Sequence, residues 1–153
     1  MRLIVCSDSH GRWDLLKKLL EQERDYEYII FLGDGAADVK RVLRDEASRT
    51  ILVRGNCDPA SAAPENRILT AAGRRILCTH GYREQVKWGR QVLLERAKAQ
   101  RCDLAFFGHT HVPFAGRQDG VYLFNPGALA EGVYGVADLT PDGELCFHKT
   151  IRS

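Results

Sequence analysis

The sequence predicts an α/β fold with mixed sheets and an antiparallel C-terminal portion. Three observations carry this. The first third repeats strand, loop and helix, the pattern of a parallel sheet with helices on its faces. Its strands are short, continuous apolar runs, as expected where both faces are covered. The last third lacks helical periodicity and carries hairpin signals instead. At 153 residues, a single domain over 1–153 is expected. A chain of this size buries about 68–70% of its unfolded surface and folds without staples.

The elements follow in order. Leu3-Ile4-Val5-Cys6 is the first strand and ends in Ser7-Asp8-Ser9-His10-Gly11. Trp13, Leu15, Leu16, Leu19 and Leu20 then recur at helical spacing. Tyr28 to Leu32 is the second strand and ends in Gly33-Asp34-Gly35; Asp38 to Ala47 reads as the second helix. Ile51-Leu52-Val53 ends in Arg54-Gly55-Asn56-Cys57-Asp58-Pro59. Residues 59–66 read as loop. Arg67 to Ala71 and Arg75 to Cys78 flank Ala72-Gly73-Arg74 as a hairpin, and the second of these strands ends in Thr79-His80-Gly81. A helix is expected over 84–100, with Val86, Val92, Leu93 and Ala97 toward the core. Leu104 to Phe107 is a further buried strand and runs into Gly108-His109-Thr110-His111. Val121 to Phe124, Tyr134 to Leu139 and Leu145 to Ile151 are strand-like, and Asp119-Gly120 and Pro141-Asp142-Gly143 mark turns. This tail is expected to form an antiparallel second sheet packed on the first.

Composition excludes several classes. Apolar content of 44% and charged content of 27% are ordinary for a globular protein. A net charge of +2 does not argue for nucleic acid or an anionic membrane. No apolar run approaches a membrane span, and the N-terminus reads as a first strand, not a signal peptide. The five cysteines are odd in number and scattered, which points to free thiols in a reducing compartment such as the cytoplasm. Cys6, Cys78 and Cys146 lie in strand-like segments as small core residues.

The chemistry gathers at strand ends. Right-handed crossovers bring parallel strands side by side with their C-terminal ends on one edge. Asp8 and His10, Asp34, Asn56, His80, and His109 with His111 all fall just past such ends. Each alone has a plain reading, as a helix cap, a turn residue or a polar loop. Four of the five histidines belong to the set, however; the fifth, His148, lies in an expected edge strand. Carboxylate, imidazole and amide together suit manganese, iron or zinc better than calcium or magnesium. Seven ligands exceed one tetrahedral ion and fit two ions with a bridging carboxylate. In an extended segment residues i and i+2 point the same way, so the pattern alone lets His109 and His111 serve one site.

Asp8-x-His10, Gly33-Asp34, Gly55-Asn56, His80-Gly81 and Gly108-His109-Thr110-His111, in that order, resemble the five blocks of the calcineurin-like metallophosphoesterase superfamily. The Gly-Asn-Cys-Asp form of the third block and Asn125-Pro126-Gly127 resemble its small YfcE-type phosphodiesterase branch. The resemblance implies a two-sheet αββα sandwich and two divalent ions, manganese first, with nickel, iron, zinc or magnesium as alternatives. It implies Asp8, His10 and His111 on one ion, Asp34 bridging, and Asn56, His80 and His109 completing the other. It implies Asp34, Asn56 and His10 as catalytic residues, and a metal-activated hydroxide attacking a small phosphodiester. A phosphomonoesterase or pyrophosphohydrolase would use the same ligands, and a protein-interaction scaffold is the reading from another class. Association between copies is left open.

Two departures from the family pattern stand out. Many relatives carry a histidine after the Gly-Asn of the third block; here it is Cys57, a poor leaving-group acid at neutral pH. Asp58 either orients a ligand or caps the turn before Pro59. Where relatives read His-Gly-His this chain has His80-Gly81-Tyr82, and Tyr82 is expected to pack on helix 84–100.

Overall fold

The computed structural model describes residues 1–152. Its strands are β1 (Arg2–Cys6), β2 (Tyr28–Phe31), β3 (Thr50–Leu52), β4 (Asn66–Ala71), β5 (Arg74–Thr79), β6 (Leu104–Phe106), β7 (Phe114–Gln118), β8 (Val121–Asn125), β9 (Val133–Thr140) and β10 (Gly143–Thr150). The helices are α1 (Trp13–Gln22), α2 (Ala36–Val42) and α3 (Gln91–Ala99). Two five-stranded sheets form, in the orders β10-β9-β1-β2-β3 and β4-β5-β6-β8-β7. In the first, β1, β2 and β3 are parallel, and β9 and β10 add antiparallel. In the second, β5, β6 and β8 are parallel, with β4 and β7 antiparallel on the edges.

Strand alternation sorts the apolar runs into two layers. Leu3, Val5, Ile30 and Leu32 face inward and meet Ile76, Cys78, Phe106 and Phe124 of the other sheet. Ile4, Cys6, Ile29 and Phe31 face outward, where Leu15, Leu16 and Leu19 of α1 and Val39 of α2 cover them. Leu93, Leu94 and Ala97 of α3 cover Leu77, Ala105 and Leu123 on the far side. The result is the expected αββα layering. Among the described residues no helix is long and apolar enough to cross a membrane.

Four expectations change. The tail makes no sheet of its own: β7 and β8 join the second sheet, while β9 and β10 join the first. The reason lies in β9, whose two faces are both apolar: Tyr134 and Val136 meet the helices, and Ala137 and Leu139 meet the opposite sheet. Such a strand belongs inside a sheet, and β9 lies between β10 and β1. A strand at Phe114–Gln118 was also not anticipated.

The second helix starts at Ala36, not Asp38, and stops at Val42; Arg44–Arg49 is 3-10 with Glu46 off helical geometry. There the Thr50 hydroxyl donates to the Glu46 carbonyl at 2.7 Å and turns the chain directly into β3. Helix 84–100 shrinks to Gln91–Ala99, because Gln85 and Gly89 both take positive φ. Residues 82–88 fold as turns instead. Val86 is buried as expected, but Val92 is 39% exposed.

Candidate metal centre

The C-terminal ends of β1, β2 and β3 in one sheet and β5 and β6 in the other face a common cleft. The candidates thus come from two sheet edges and not from one. Asp8 is fully buried at its floor, Asp34 and His80 nearly so, while His10 and Asn56 are exposed and His109 and His111 half-buried.

Three donor atoms converge at one end. Asp8 Oδ1 lies 3.3 Å from His10 Nε2 and 3.2 Å from His111 Nε2, and the two imidazole nitrogens are 3.2 Å apart. A second group forms at the other end. His80 Nε2 lies 3.2 Å from Asp34 Oδ2 and 3.2 Å from His109 Nδ1. Asp34 Oδ2 is also 3.8 Å from His10 Nε2, so this carboxylate stands between the two groups. His109 and His111 therefore point to different ends. The extended-segment reading that put them together fails because both have positive φ, at 69° and 63°.

The donor sets fit metal ions. Lone-pair nitrogens facing each other need a proton or a cation between them. Ligands about 2.0–2.1 Å from a tetrahedral ion sit about 3.3 Å apart, close to the separations found in both groups. His80 is prepared for this: its Nδ1–H donates to the Leu32 carbonyl at 2.7 Å, which directs Nε2 into the cleft. Asn56 lines the same cleft as His80, and its amide nitrogen lies 3.6 Å from Cys57 Sγ. Cys57 brings its sulfur within 4.8 Å of donor atoms of His10 and Asp34.

Electrostatics follow from burial and neighbours. For Asp34, burial opposes the charge, but the hydrogen bond and charge of His80 prevail and hold its carboxyl well below the usual range. Burial likewise opposes a charged His80, and Asp34 and Asp8 outweigh it and raise its pKa. His109 is lowered, by burial first and then by His80. Cys57 is raised by burial and by the Asp34 carboxylate.

The backbone here is held in costly geometry. Nine non-glycine residues have positive φ among the described residues, and Asp8, His10, Asp34, His109 and His111 are five of them. Such conformations cost of order 1–3 kcal/mol each and persist where surrounding bonds over-determine them. Several of those bonds come from residues that sequence reasoning left without a role, such as Ser7, Ser9 and Asp38. Ser9 and Gly11 donate to Asp38 Oδ2 and set the His10 loop. Ser7 Oγ and the His109 N–H donate to Asp8 Oδ2. Asn125 donates its amide to the Gly108 carbonyl and the Thr110 hydroxyl at 3.1 and 3.0 Å. Asp58 resolves toward capping, more widely than the turn before Pro59: its carboxylate accepts from the N–H groups of Asp34, Gly35, Ala36 and Gly55 at 2.7–3.1 Å. An acidic residue two positions after the Gly-Asn pair was the only signal for this in the chain. Glycine is required at Gly55, where a Cβ would stand 2.1 Å from Asp34 Oδ1.

Tyr82 does not pack on the shortened helix. It is 55% exposed, with its ring edge-on to His109 at 5.5 Å, and it lines the cleft. His148 stays outside the site, bonded to the Asn125 carbonyl at 2.7 Å and stacked on Phe124.

The family model described as "Calcineurin-like phosphoesterase superfamily domain" matches residues 1–139. The chain belongs to the calcineurin-like phosphoesterase superfamily. It is 29% identical over 130 residues to the probable metallophosphoesterase YsnB of Bacillus subtilis, covering 84% of this chain and 75% of that one. It is 27% identical over 155 residues to the phosphodiesterase YfcE of Escherichia coli, covering 85% and 80%. Vps29 of Cryptosporidium parvum superposes with a TM-score of 0.82 at 17% identity, covering 99% and 91%, a likeness of fold alone. As a calcineurin-like phosphoesterase the chain is a metal-dependent enzyme, and its two donor groups lie on four of the five blocks singled out in the sequence, with Asn56 of the third block outside both groups.

Proposed function

We propose that this calcineurin-like phosphoesterase is a single-domain phosphodiesterase that holds two divalent ions, manganese first, and hydrolyses small phosphodiesters. Asp8, His10 and His111 would hold one ion, Asn56, His80 and His109 the other, and Asp34 would bridge. The observation that carries this reading is the place of Asp34 Oδ2, 3.2 Å from His80 Nε2 and 3.8 Å from His10 Nε2, between two donor groups.

When bound, such a pair supplies an activated water and charge compensation for a phosphoryl group. The chain's own residues do the rest. Asp34 and His10 stand where the two donor groups meet, and Asn56 would add an amide from the cleft wall beside His80. Cys57 offers only a weak donor, so the acid that serves the leaving oxygen is not assigned to it. The open cleft, with the exposed Tyr82 at its rim, suits small diesters. The unpaired state of Cys6, Cys57, Cys78, Cys102 and Cys146 is in keeping with a cytoplasmic setting.

The test is hydrolysis of bis(p-nitrophenyl) phosphate by metal-stripped chain with and without Mn²⁺. Activity is expected to depend on added metal and to be abolished by Asp34→Asn. Full activity after thorough metal removal would overturn the reading.

A further inference from the structure

Beside Asn56 and His80 lies a cleft of about 370 Å³. Two arginines line it, with one glutamate between them. Arg54 lies two residues past the end of the third strand and two residues before Asn56. Arg83 lies in the turn after the fifth strand, three residues after His80. Arg54 Nη2 and Arg83 Nη2 both donate to the same oxygen, Glu65 Oε1, at 3.3 and 3.2 Å.

This is a poor match for two guanidiniums. Each offers five N–H donors in a fork suited to two acceptor oxygens. Here two forks share one oxygen through single long contacts. Arg54 adds only a 3.4 Å contact from Nη1 to the Ser61 carbonyl. The other acidic groups of the cleft are engaged elsewhere. Asp58 takes four backbone N–H groups. Glu84 is buried and held by the Thr79 hydroxyl and by Arg96 Nη1 at 2.9 Å. The cleft therefore carries two under-used cations and one carboxylate that can swing away. The Glu65 and Arg54 side chains are each 38% exposed, and Arg83 is 65% exposed.

We infer that Arg54 and Arg83 bind a second phosphoryl group of the substrate, and that Glu65 holds its place until the substrate arrives. The inference rests on the phosphodiesterase reading above and names the substrate class: a phosphodiester whose organic part bears a further phosphate. A phosphate monoester presents three oxygens and up to two negative charges where Glu65 presents one oxygen of a single charge. It satisfies both forks at once. The placement is right for this, since the arginines flank the strand ends that carry Asn56 and His80. The diester phosphorus would lie at the donor groups and the second phosphate in the cleft.

The experiment compares two substrates on the metal-loaded full chain: thymidine 5′-(p-nitrophenyl phosphate), and the same compound carrying a 3′-phosphate. The added phosphate should raise kcat/KM about tenfold or more, mainly through KM, since charge-assisted contacts of this kind are strong. Arg83→Ala and Arg54→Gln should bring that ratio toward one, and Glu65→Gln should raise it. High salt should compress it. Calorimetric titration with thymidine 3′,5′-bisphosphate against thymidine 5′-phosphate should show the same preference without turnover. A ratio near one in the unaltered chain, or a ratio that none of the three substitutions moves, would overturn the inference and leave the phosphodiesterase reading standing. Failure to cleave either compound would overturn that reading and this one with it.

Discussion

Asp58→Ala should be among the most damaging single substitutions outside the donor groups. The Asp58 carboxylate accepts four backbone hydrogen bonds: from Asp34 at 2.7 Å, Gly55 at 2.8 Å, and Gly35 and Ala36 at 3.1 Å each. It thereby caps α2 and ties the loop after β2 to the loop after β3. A net hydrogen bond contributes about 0.5–1.5 kcal/mol, so four bring about 2–6. The site is half-buried and water can replace part of the loss, which places the expected cost at about 3 kcal/mol. For a chain of this length each kcal/mol lowers Tm by about 2–4 °C, so a fall of about 6–12 °C is expected. Urea unfolding of metal-free chain reads the loss directly, and it avoids confusion with lost metal. Asp58→Asn keeps one acceptor oxygen and should lose about half as much. Mn²⁺ affinity, measured by calorimetry, should fall as well, because Asp34 is no longer held. A loss below about 1 kcal/mol in the metal-free chain would refute the account.

Two further predictions follow from the divergence of the histidines and from the thiol at Cys57. His109→Ala and His111→Ala should each lower bound Mn²⁺ by one equivalent, measured by metal analysis after dialysis, and each should remove the ion at its own end of the cleft; equal loss of both ions from either variant would contradict the assignment. Because a thiol at Cys57 is a weak donor, the cleavage rate of a series of aryl methyl phosphates should fall steeply as the leaving phenol becomes less acidic. Cys57→Ser should leave that slope unchanged, and a shallow slope in the unaltered chain would point to an acid not yet identified.

Much of the site was legible because its residues are of unusual type in a regular place. Asp8, His10, Asp34, His80, His109 and His111 follow apolar runs that can only be strands, and the strand ends collect them. What was not legible were the groups that hold them. Asp38 looks like an ordinary polar residue in the chain, Asn125 stood out only as part of a motif without a role, and Asp58 looked equally like a turn cap. Their roles depend on segments that approach from elsewhere, as when Ser9 meets Asp38 or Asn125 meets Gly108. Tyr82 was misplaced for a related reason. Periodicity extended α3 back across 84–90, but Glu84 is drawn inward to Thr79 and Arg96, and the backbone turns at Gln85 and Gly89.

The sequence by itself determined the local chemistry: which residues are donors, which runs are strands covered on both faces, and that the donors lie past strand ends. Those are properties of residue type and short-range periodicity. Only the tertiary structure decided that the strand ends come from two facing sheets, that β9 and β10 flank β1 instead of forming a sheet of their own, and that His109 and His111 part company. These depend on which apolar face finds which partner across the core, and on backbone at positive φ that only long-range hydrogen bonds can hold. Alternation along a strand says which residues share a face; it carries no information about what that face meets.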